Sequence, residues 1–212
     1  MSEQDEQKIK ARLREEYFDF LPEIRRLAQQ LEAEIRFYTL HILHSLRPYE
    51  QLVIRSRVKE CESTIKTLQG EKDGRVFDLE RADEYSVRSL PDLAGVRILA
   101  FPNHRLLEID ETLRQHFNDW MPKPLKDASG VLQAYKYFGH RQSVSREVKG
   151  EYQIVPMLLG LFWEVEHSAM YKFPVGANSE NMKRLRADVE RSLAYFEEGI
   201  ASLLPNHISN NS

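Results

Sequence analysis

Apolar residues early in the chain recur at three- and four-residue steps. Ile24, Leu27, Leu31, Ile35, Tyr38, Ile42 and Leu46 form one such stripe, lying between the breakers Pro22 and Pro48. This spacing puts them on one face of an α-helix. Beyond Pro48, the positions Leu52, Ile54, Val58, Ile65 and Leu68 predict a further helix ending at Gly70. The pattern then shortens. Arg75–Asp78, Gly95–Phe101, Gln133–Phe138, Gln142–Ser145 and Glu151–Val155 are brief and rich in β-branched or aromatic residues, as strands are. A helical pattern with Leu106, Leu107, Ile109, Leu113 and Phe117 separates the second from the third, followed by a loop with Pro122, Pro124 and Gly130. After Pro156 a helix resumes, with Leu158, Leu161, Phe162, Val165 and Ala169 on one face, until Pro174 and Gly176 close it. Asn178 or Ser179 caps a last helix that Pro205 stops. The expectation is an α+β fold: a central mixed sheet of about five strands with helices around it, extended by helices at both ends.

Composition narrows the function. The chain has 212 residues, 42% of them hydrophobic and 30% charged, with a formal net charge of −3. That is enough apolar matter for a core and too little positive charge to coat nucleic acid, although a local basic patch is compatible with it. Cys61 is the single cysteine, so no disulfide framework forms within the chain, and a reducing, cytoplasmic location is expected. The charged N-terminus lacks the apolar core of a signal peptide, and no run is long enough for a membrane span.

Five clusters carry candidate chemistry, each with a plain structural alternative. Arg55, Arg57 and Lys59, followed by Ser63 and Lys66, suit a polyphosphate, but a solvated basic face explains them too. Asp92-Leu-Ala-Gly95-Val-Arg97 places a carboxylate at the mouth of an apolar strand. Such an oxygen suits a hard cation, although Pro-Asp pairs also form turns. Arg97 inside that strand needs a partner if buried. Glu151 and Gln153, two apart on a strand, share one face, as simple alternation also gives. Glu164, Glu166 and His167, then Tyr171 and Lys172, lie on a helix where a structural histidine is the default. Lys123 and Lys126 lead to Tyr135, Lys136, Tyr137, Phe138, His140 and Arg141, able to hold a phosphate and stack a base or to form an ordinary aromatic edge.

In their order and combination, these residues resemble the synthetase domain of the RelA/SpoT family. That pattern runs R-x-K with a following Ser (Arg57, Lys59, Ser63), D-x-x-G-x-R (Asp92 to Arg97), E-x-Q-I (Glu151 to Ile154), E-H (Glu166, His167) and Y-K (Tyr171, Lys172). The resemblance implies a nucleotidyltransferase-like core over residues 49–173. An N-terminal helical region would occupy 1–48, and a C-terminal helix and polar tail 174–212. It implies transfer of the β,γ-pyrophosphate of ATP to the 3′-hydroxyl of GDP or GTP. Arg57 and Arg97 would clasp the adenine, Lys59 with Ser63 and Lys66 would hold the donor, and Asp92 and Glu151 would carry Mg²⁺. Glu151 would also serve as general base, with Gln153 on the acceptor side. No His-Asp pair of a hydrolase half occurs, which implies a synthetase-only member. Two positions depart from the pattern. Thr67 stands where a second lysine is usual, Lys66 being one place earlier. Lys136 stands where the acceptor-stacking tyrosine is usual, leaving Tyr135 or Tyr137 to replace it, near His140.

Toxin members of the family place pyrophosphate on the 3′ end of tRNA, and Lys123, Lys126, Lys136, Arg141, Arg146 and Lys149 would suit that acceptor. A third reading is a degenerate nucleotide-binding regulatory module. Small members often assemble through terminal helices, a role open to the stripe Leu185, Val189, Leu193 and Phe196.

Overall fold

A computed structural model describes residues 3–70, 76–126, 130, 132–142, 147–172 and 180–203, without the side chains of 142, 167, 169–172, 180, 182, 183 and 201. Helix α1 spans Glu3–Tyr38 and α2 spans Leu40–Ser45. They are followed by β1 (Gln51–Val58), α3 (Cys61–Gln69), β2 (Ala94–Phe101), α4 (His104–His116), β3 (Met121–Pro122), β4 (Leu125–Lys126), β5 (Leu132–Gln142), β6 (Glu147–Pro156), α5 (Met157–Lys172) and α6 (Glu180–Leu203). The sheet has six strands in the order β1-β2-β6-β5-β3, with β4 on β5. The pair β2–β6 is parallel and the others are antiparallel, so the sheet is mixed, as expected.

The first helix runs further than its sequence stripe suggested. Leu13, Tyr17, Phe20, Ile24, Leu27, Leu31 and Ile35 are all buried, at steps of three and four that continue in register through Pro22. An interior proline costs about 3 kcal/mol. Each large apolar side chain buried returns roughly 1.5–3 kcal/mol, so the stripe outweighs the breaker.

Residues 51–58 form a strand, not the helix expected from Leu52, Ile54 and Val58. Those three positions are separated by even steps and so satisfy a period of two as well. Val53, Ile54 and Val58 are β-branched, and central β2 needs a partner on this side. The helix to Gly70 begins at Cys61, and Gly70 closes it in the left-handed conformation at φ 76°. The strand expected over 75–78 also does not form. Arg75 lies outside the described residues, and Val76–Asp78 is irregular. Phe77 is buried edge-on against Tyr85, whose hydroxyl accepts the Asp78 N–H at 3.0 Å. Of the expected strand 142–145, only Gln142 is described, at the end of β5. Arg146, Pro174, Gly176, the cap at Asn178 or Ser179 and the polar tail also lie outside the described residues.

Strand alternation gives the sheet two unlike faces. On one, Ala94, Val96, Ile98 and Ala100 of β2 join Tyr152 and Ile154 of β6 under α1 and α4, in the main core. Gly150 lies on this face, where a Cβ would meet Leu27 and Leu31 of α1 at 3.3 and 3.2 Å. The other face is apolar at one end only, where Leu99, Ala134 and Val155 pack with Val53, Met157 and Trp163. The rest of that face carries charge.

Candidate active site

The register brings the charged motifs together. Arg57 is paired with Gly95 across β1–β2, and Gly95 with Glu151 across β2–β6. The middle position of this row has no side chain, so Arg57 and Glu151 meet over it. Their guanidinium and carboxylate form an ion pair through Glu151 Oε1. A Cβ on Gly95 would lie 3.1 Å from Arg57 Nε and 3.3 Å from Glu151 Cγ. The glycine of D-x-x-G-x-R is therefore a spatial requirement of the acid–base pair.

Glu151 is fully buried, a position a carboxylate tolerates only with partners. Besides Arg57 it accepts the Gln153 amide at 2.9 Å, and Lys136 Nζ from β5 stands 2.7 Å from Oε2. The lysine contact is one of charge without hydrogen-bond alignment, so buried Oε2 keeps an unfilled acceptor direction. Beside this group, Lys59 Nζ lies 2.7 Å from Asp92 Oδ2, and the Lys59 N–H bonds to Leu93 C=O at 2.9 Å. That backbone bond carries the β1–β2 ladder up to the turn holding Asp92. Arg57 and Lys59 are two residues apart on one strand edge, so the carboxylates they pair with sit on the same side of the sheet.

Arg97 is turned toward the helix side of this face. Its guanidinium is 3.3 Å from Gln153 Oε1 and 3.7 Å from Glu164 of α5, which also stands 3.7 Å from Arg55. Burial, and then the nearby Arg57 charge, lower the Arg97 pKa, against the pull of Glu164 and Glu151. Arg55, Arg57, Lys59, Arg97 and Lys136 thus face Asp92, Glu151 and Glu164, leaving an excess of positive charge suited to a polyphosphate. Ser63 is half-buried and Lys66 exposed on α3, the helix that follows Lys59.

The acceptor-side residues divide by parity along β5. Tyr137 is buried on the opposite face, stacked on Tyr152 at 4.7 Å, and its hydroxyl donates to buried Asp110 at 2.6 Å. Tyr135 has the same parity and is half-buried against the main core. Arg141 also turns that way, lying over Phe117 and Trp120 and pairing with Asp119 at 3.1 Å. None of the three is brought to Glu151. The site face of β5 carries Lys136, Phe138 and exposed His140 instead. Lys136 Nζ sits 4.8 Å and Lys123 Nζ 6.0 Å from the centre of the Phe138 ring, with Lys126 exposed on β4 nearby in sequence. Sequence reasoning placed Phe138 in this cluster but gave the stacking role to Tyr135 or Tyr137, not to Phe138 as the aromatic of this face. Counting alternate residues from Lys136 would have found it. Glu166 pairs with Arg186 of α6 at 3.4 Å and so ties two helices together. The side chains of His167, Tyr171 and Lys172 are outside those described.

Asp92 and Glu151 offer hard oxygen ligands, and the unfilled direction at Glu151 Oε2 fits a divalent cation such as Mg²⁺. No cluster of three or more His, Cys, Asp or Glu suited to a metal occurs among the described residues, so protein ligands would be few. Mg²⁺ commonly keeps several waters and takes substrate phosphates, which is compatible with a pair of carboxylates.

No protein-family model matches the chain, and no curated protein matches it in sequence. Solved structures do match it. Small alarmone synthetase 1 from Bacillus subtilis superposes with a TM-score of 0.67 at 19% identity, over 89% of this chain and 96% of that one. The same enzyme bound to its product pppGpp gives 0.66, again at 19% identity and with the same coverage. A GTP pyrophosphokinase family protein from Streptococcus pneumoniae gives 0.65 at 18% identity, over 89% and 92% of the two chains. The chain therefore has the fold of the small alarmone synthetases. None of its described helices is long and apolar enough to cross a membrane.

Proposed function

We propose that this chain is a small synthetase of the RelA/SpoT type, which transfers the β,γ-pyrophosphate of ATP to the 3′-hydroxyl of GDP or GTP. The observation that carries the reading is the buried Glu151 carboxylate, clasped by Arg57 and Lys136 beside the Lys59–Asp92 pair, on the charged face of the sheet. The fold likeness supports it further, since one neighbour was solved with pppGpp and with AMPCPP.

In this reaction the acceptor 3′-oxygen bonds to the β-phosphorus of ATP. The bond from that phosphorus to the α,β-bridging oxygen breaks, and AMP leaves with the oxygen. Glu151 takes the hydroxyl proton, a role that needs hydrogen-bond reach to the acceptor oxygen. Arg57, Lys59 and Lys136 move from carboxylate partners to phosphate oxygens, where their charge offsets that of the transferred group. Asp92 and Glu151 would hold Mg²⁺, which would supply charge neutralisation and orientation of the donor. Phe138, flanked by Lys136 and Lys123, is the stacking surface for the acceptor base.

The same surface favours a second acceptor reading, the single-stranded 3′ end of tRNA, because exposed Met121 and Leu125 extend it beside Lys123 and Lys126. One experiment separates the readings. The protein is incubated with Mg²⁺ and ATP labelled in its γ-phosphate, with GDP, GTP, adenine nucleotides or deacylated tRNA supplied separately. Label on GDP and GTP is expected. Label on tRNA alone overturns the acceptor assignment, and label nowhere overturns the enzymatic one in favour of a regulatory module. Asp92→Asn and Glu151→Gln should each reduce transfer at least about 100-fold. Near-normal activity of either removes that residue from the mechanism.

A further inference from the structure

Strand register sets two arginines face to face. Arg55 of β1 stands directly opposite Arg97 of β2, and Arg97 opposite Gln153 of β6. On one side of this row lies the apolar end of the same face, where Val53, Leu99 and Val155 are aligned. On the other lies the row of Arg57, Gly95 and Glu151. Like charges directly opposed on neighbouring strands repel. Burial, and then the Arg57 charge, disfavour the charged form of Arg97, and Glu164 is the strongest influence in its favour, ahead of Glu151.

Glu164 of α5 is set between the two arginines. Its Oε1 is 3.7 Å from Arg97 Nη1, and its Oε2 is 3.7 Å from Arg55 Nη1. One carboxylate therefore bridges the opposed pair, with one oxygen for each. Both distances are too long for hydrogen bonds, so Glu164 acts on its neighbours by charge. The helix that carries it is held from two directions. Trp163, the residue before, packs on Leu99, Ala134 and Val155 of the sheet, and its Nε1 donates to Glu190 of α6 at 3.0 Å. Near the start of α5, the Leu158 N–H donates to buried Glu197 of α6 at 3.1 Å. Glu164 thus projects from a fixed element, which is what precise placement of a charge needs.

Stability alone does not account for this bridge. The side chains of Glu164 and Arg55 are 38% and 60% exposed, and pairs so placed contribute little to folding. Arg97 is the buried member, at 16%. Gln153 Oε1 accepts from its Nε and Nη2 at 3.4 and 3.3 Å, while Glu164 faces Nη1. All three nitrogens are therefore engaged along the edges of the guanidinium, and its plane is set. A planar cation held in one orientation can meet a flat or charged part of a ligand without being ordered first. Strand order places that ligand on the donor side. Glu151 of β6 separates β1 and β2, whose Arg57 and Lys59 meet the donor phosphates in the proposed reaction, from β5, whose Phe138 stacks the acceptor base.

We propose that Glu164 is a positioning residue for the donor nucleotide: by bridging Arg55 and Arg97 it holds the Arg97 guanidinium in the orientation that meets the donor. The proposal rests on the pyrophosphate-transfer reading for the identity of that nucleotide. Its test separates charge from shape. Binding of the α,β-methylene analogue of ATP, which lacks the bridging oxygen that leaves with AMP, is measured with Mg²⁺ by equilibrium dialysis on the full chain, beside transfer kinetics and urea denaturation. Glu164→Gln keeps the shape and removes the charge. It should weaken the analogue about tenfold and raise the KM for ATP by the same factor, with kcat, the KM for the acceptor and the urea midpoint unchanged. Glu164→Asp keeps the charge on a shorter arm and should recover part of the loss. In an Arg97→Ala background, Glu164→Gln should have no further effect, because its action runs through Arg97. Should Arg97→Ala not fold, the comparison of the Gln and Asp variants decides, and equal losses in the two overturn the proposal. An undiminished further loss in the Arg97→Ala background, or a lowered urea midpoint in Glu164→Gln, makes Glu164 a support of α5 and also overturns it. Transfer with wild-type affinity in Glu164→Gln overturns it while leaving the proposed function standing. The binding loss in a chain that transfers to no acceptor does the reverse, and no binding of the analogue by the unaltered chain overturns both.

Discussion

Gly95→Ala tests whether the meeting of Arg57 and Glu151 is the centre of the chemistry. The added Cβ would lie 3.1 Å from Arg57 Nε, 3.2 Å from Arg57 Cγ and 3.3 Å from Glu151 Cγ. Both neighbours are side chains, so the pair must yield by a few tenths of an ångström while the backbone stays in place. Two effects on stability oppose each other. Glycine to alanine stabilises a compatible site by about 0.4–1 kcal/mol through the unfolded chain. Crowding costs about 1–3 kcal/mol in a fully packed core, and less here because Arg57 is partly exposed. The net change in folding free energy is expected within about 1 kcal/mol. The effect on activity is larger, because a displacement of about 1 Å at reacting groups can cost on the order of 100-fold. A fall of about tenfold in kcat/KM for transfer is therefore expected. The assays are urea denaturation and initial rates with saturating Mg²⁺ and ATP. Combined with Arg57→Lys, the loss should be far from additive, since both changes disturb one pair. Wild-type kinetics in Gly95→Ala would refute the reasoning. So would a stability loss of several kcal/mol, because the activity change would then report unfolding.

Gly139→Ala makes the opposite case. Its Cβ would run into the Trp120 ring on the α4 face, so urea stability should fall by about 1–3 kcal/mol while kcat of the folded fraction is unchanged. A selective loss of kcat there would break the two-face description. Phe138→Ala should raise the KM for the acceptor by roughly 10–100-fold and leave that for ATP alone, if the ring stacks the acceptor base. A rise confined to ATP would move Phe138 to the donor. Burial holds the Asp110 carboxyl above its ordinary 3.8, against the Tyr137 hydroxyl and Arg114, which pull it down. The unfolded chain therefore loses this proton first as pH rises, and wild-type stability falls between 3.8 and the higher folded value. The stability of Asp110→Asn relative to wild type should climb through that window and then level off. A difference flat with pH would contradict it.

The helical stripe on α1, the α+β class and the mixed central sheet were legible because burial repeats with the period of each element. The sheet proved to have six strands where about five were expected, because Met121–Pro122 and Leu125–Lys126, which read as a proline-broken loop, pair with β5. Residues 51–58 misled for a related reason. An apolar set at even spacing fits two periods, and only the demand of β2 for a neighbour decides between them. The candidate residues Asp92, Glu151, Arg57 and Lys59 were legible one by one, through charge set beside strand-forming residues.

By itself the sequence determined which segments bury a face and which residues carry charge into the sheet, since both depend on local order along the chain. Tertiary structure alone decided what those charges meet. Gly95 became the gap over which Arg57 reaches Glu151, and β5 turned Tyr135 and Tyr137 to the core while leaving Lys136 and Phe138 at the site. The reason is register. Alternation assigns every strand residue to one of two faces, but which face looks onto the site, and which residue stands opposite, is set by pairing between strands far apart in the chain.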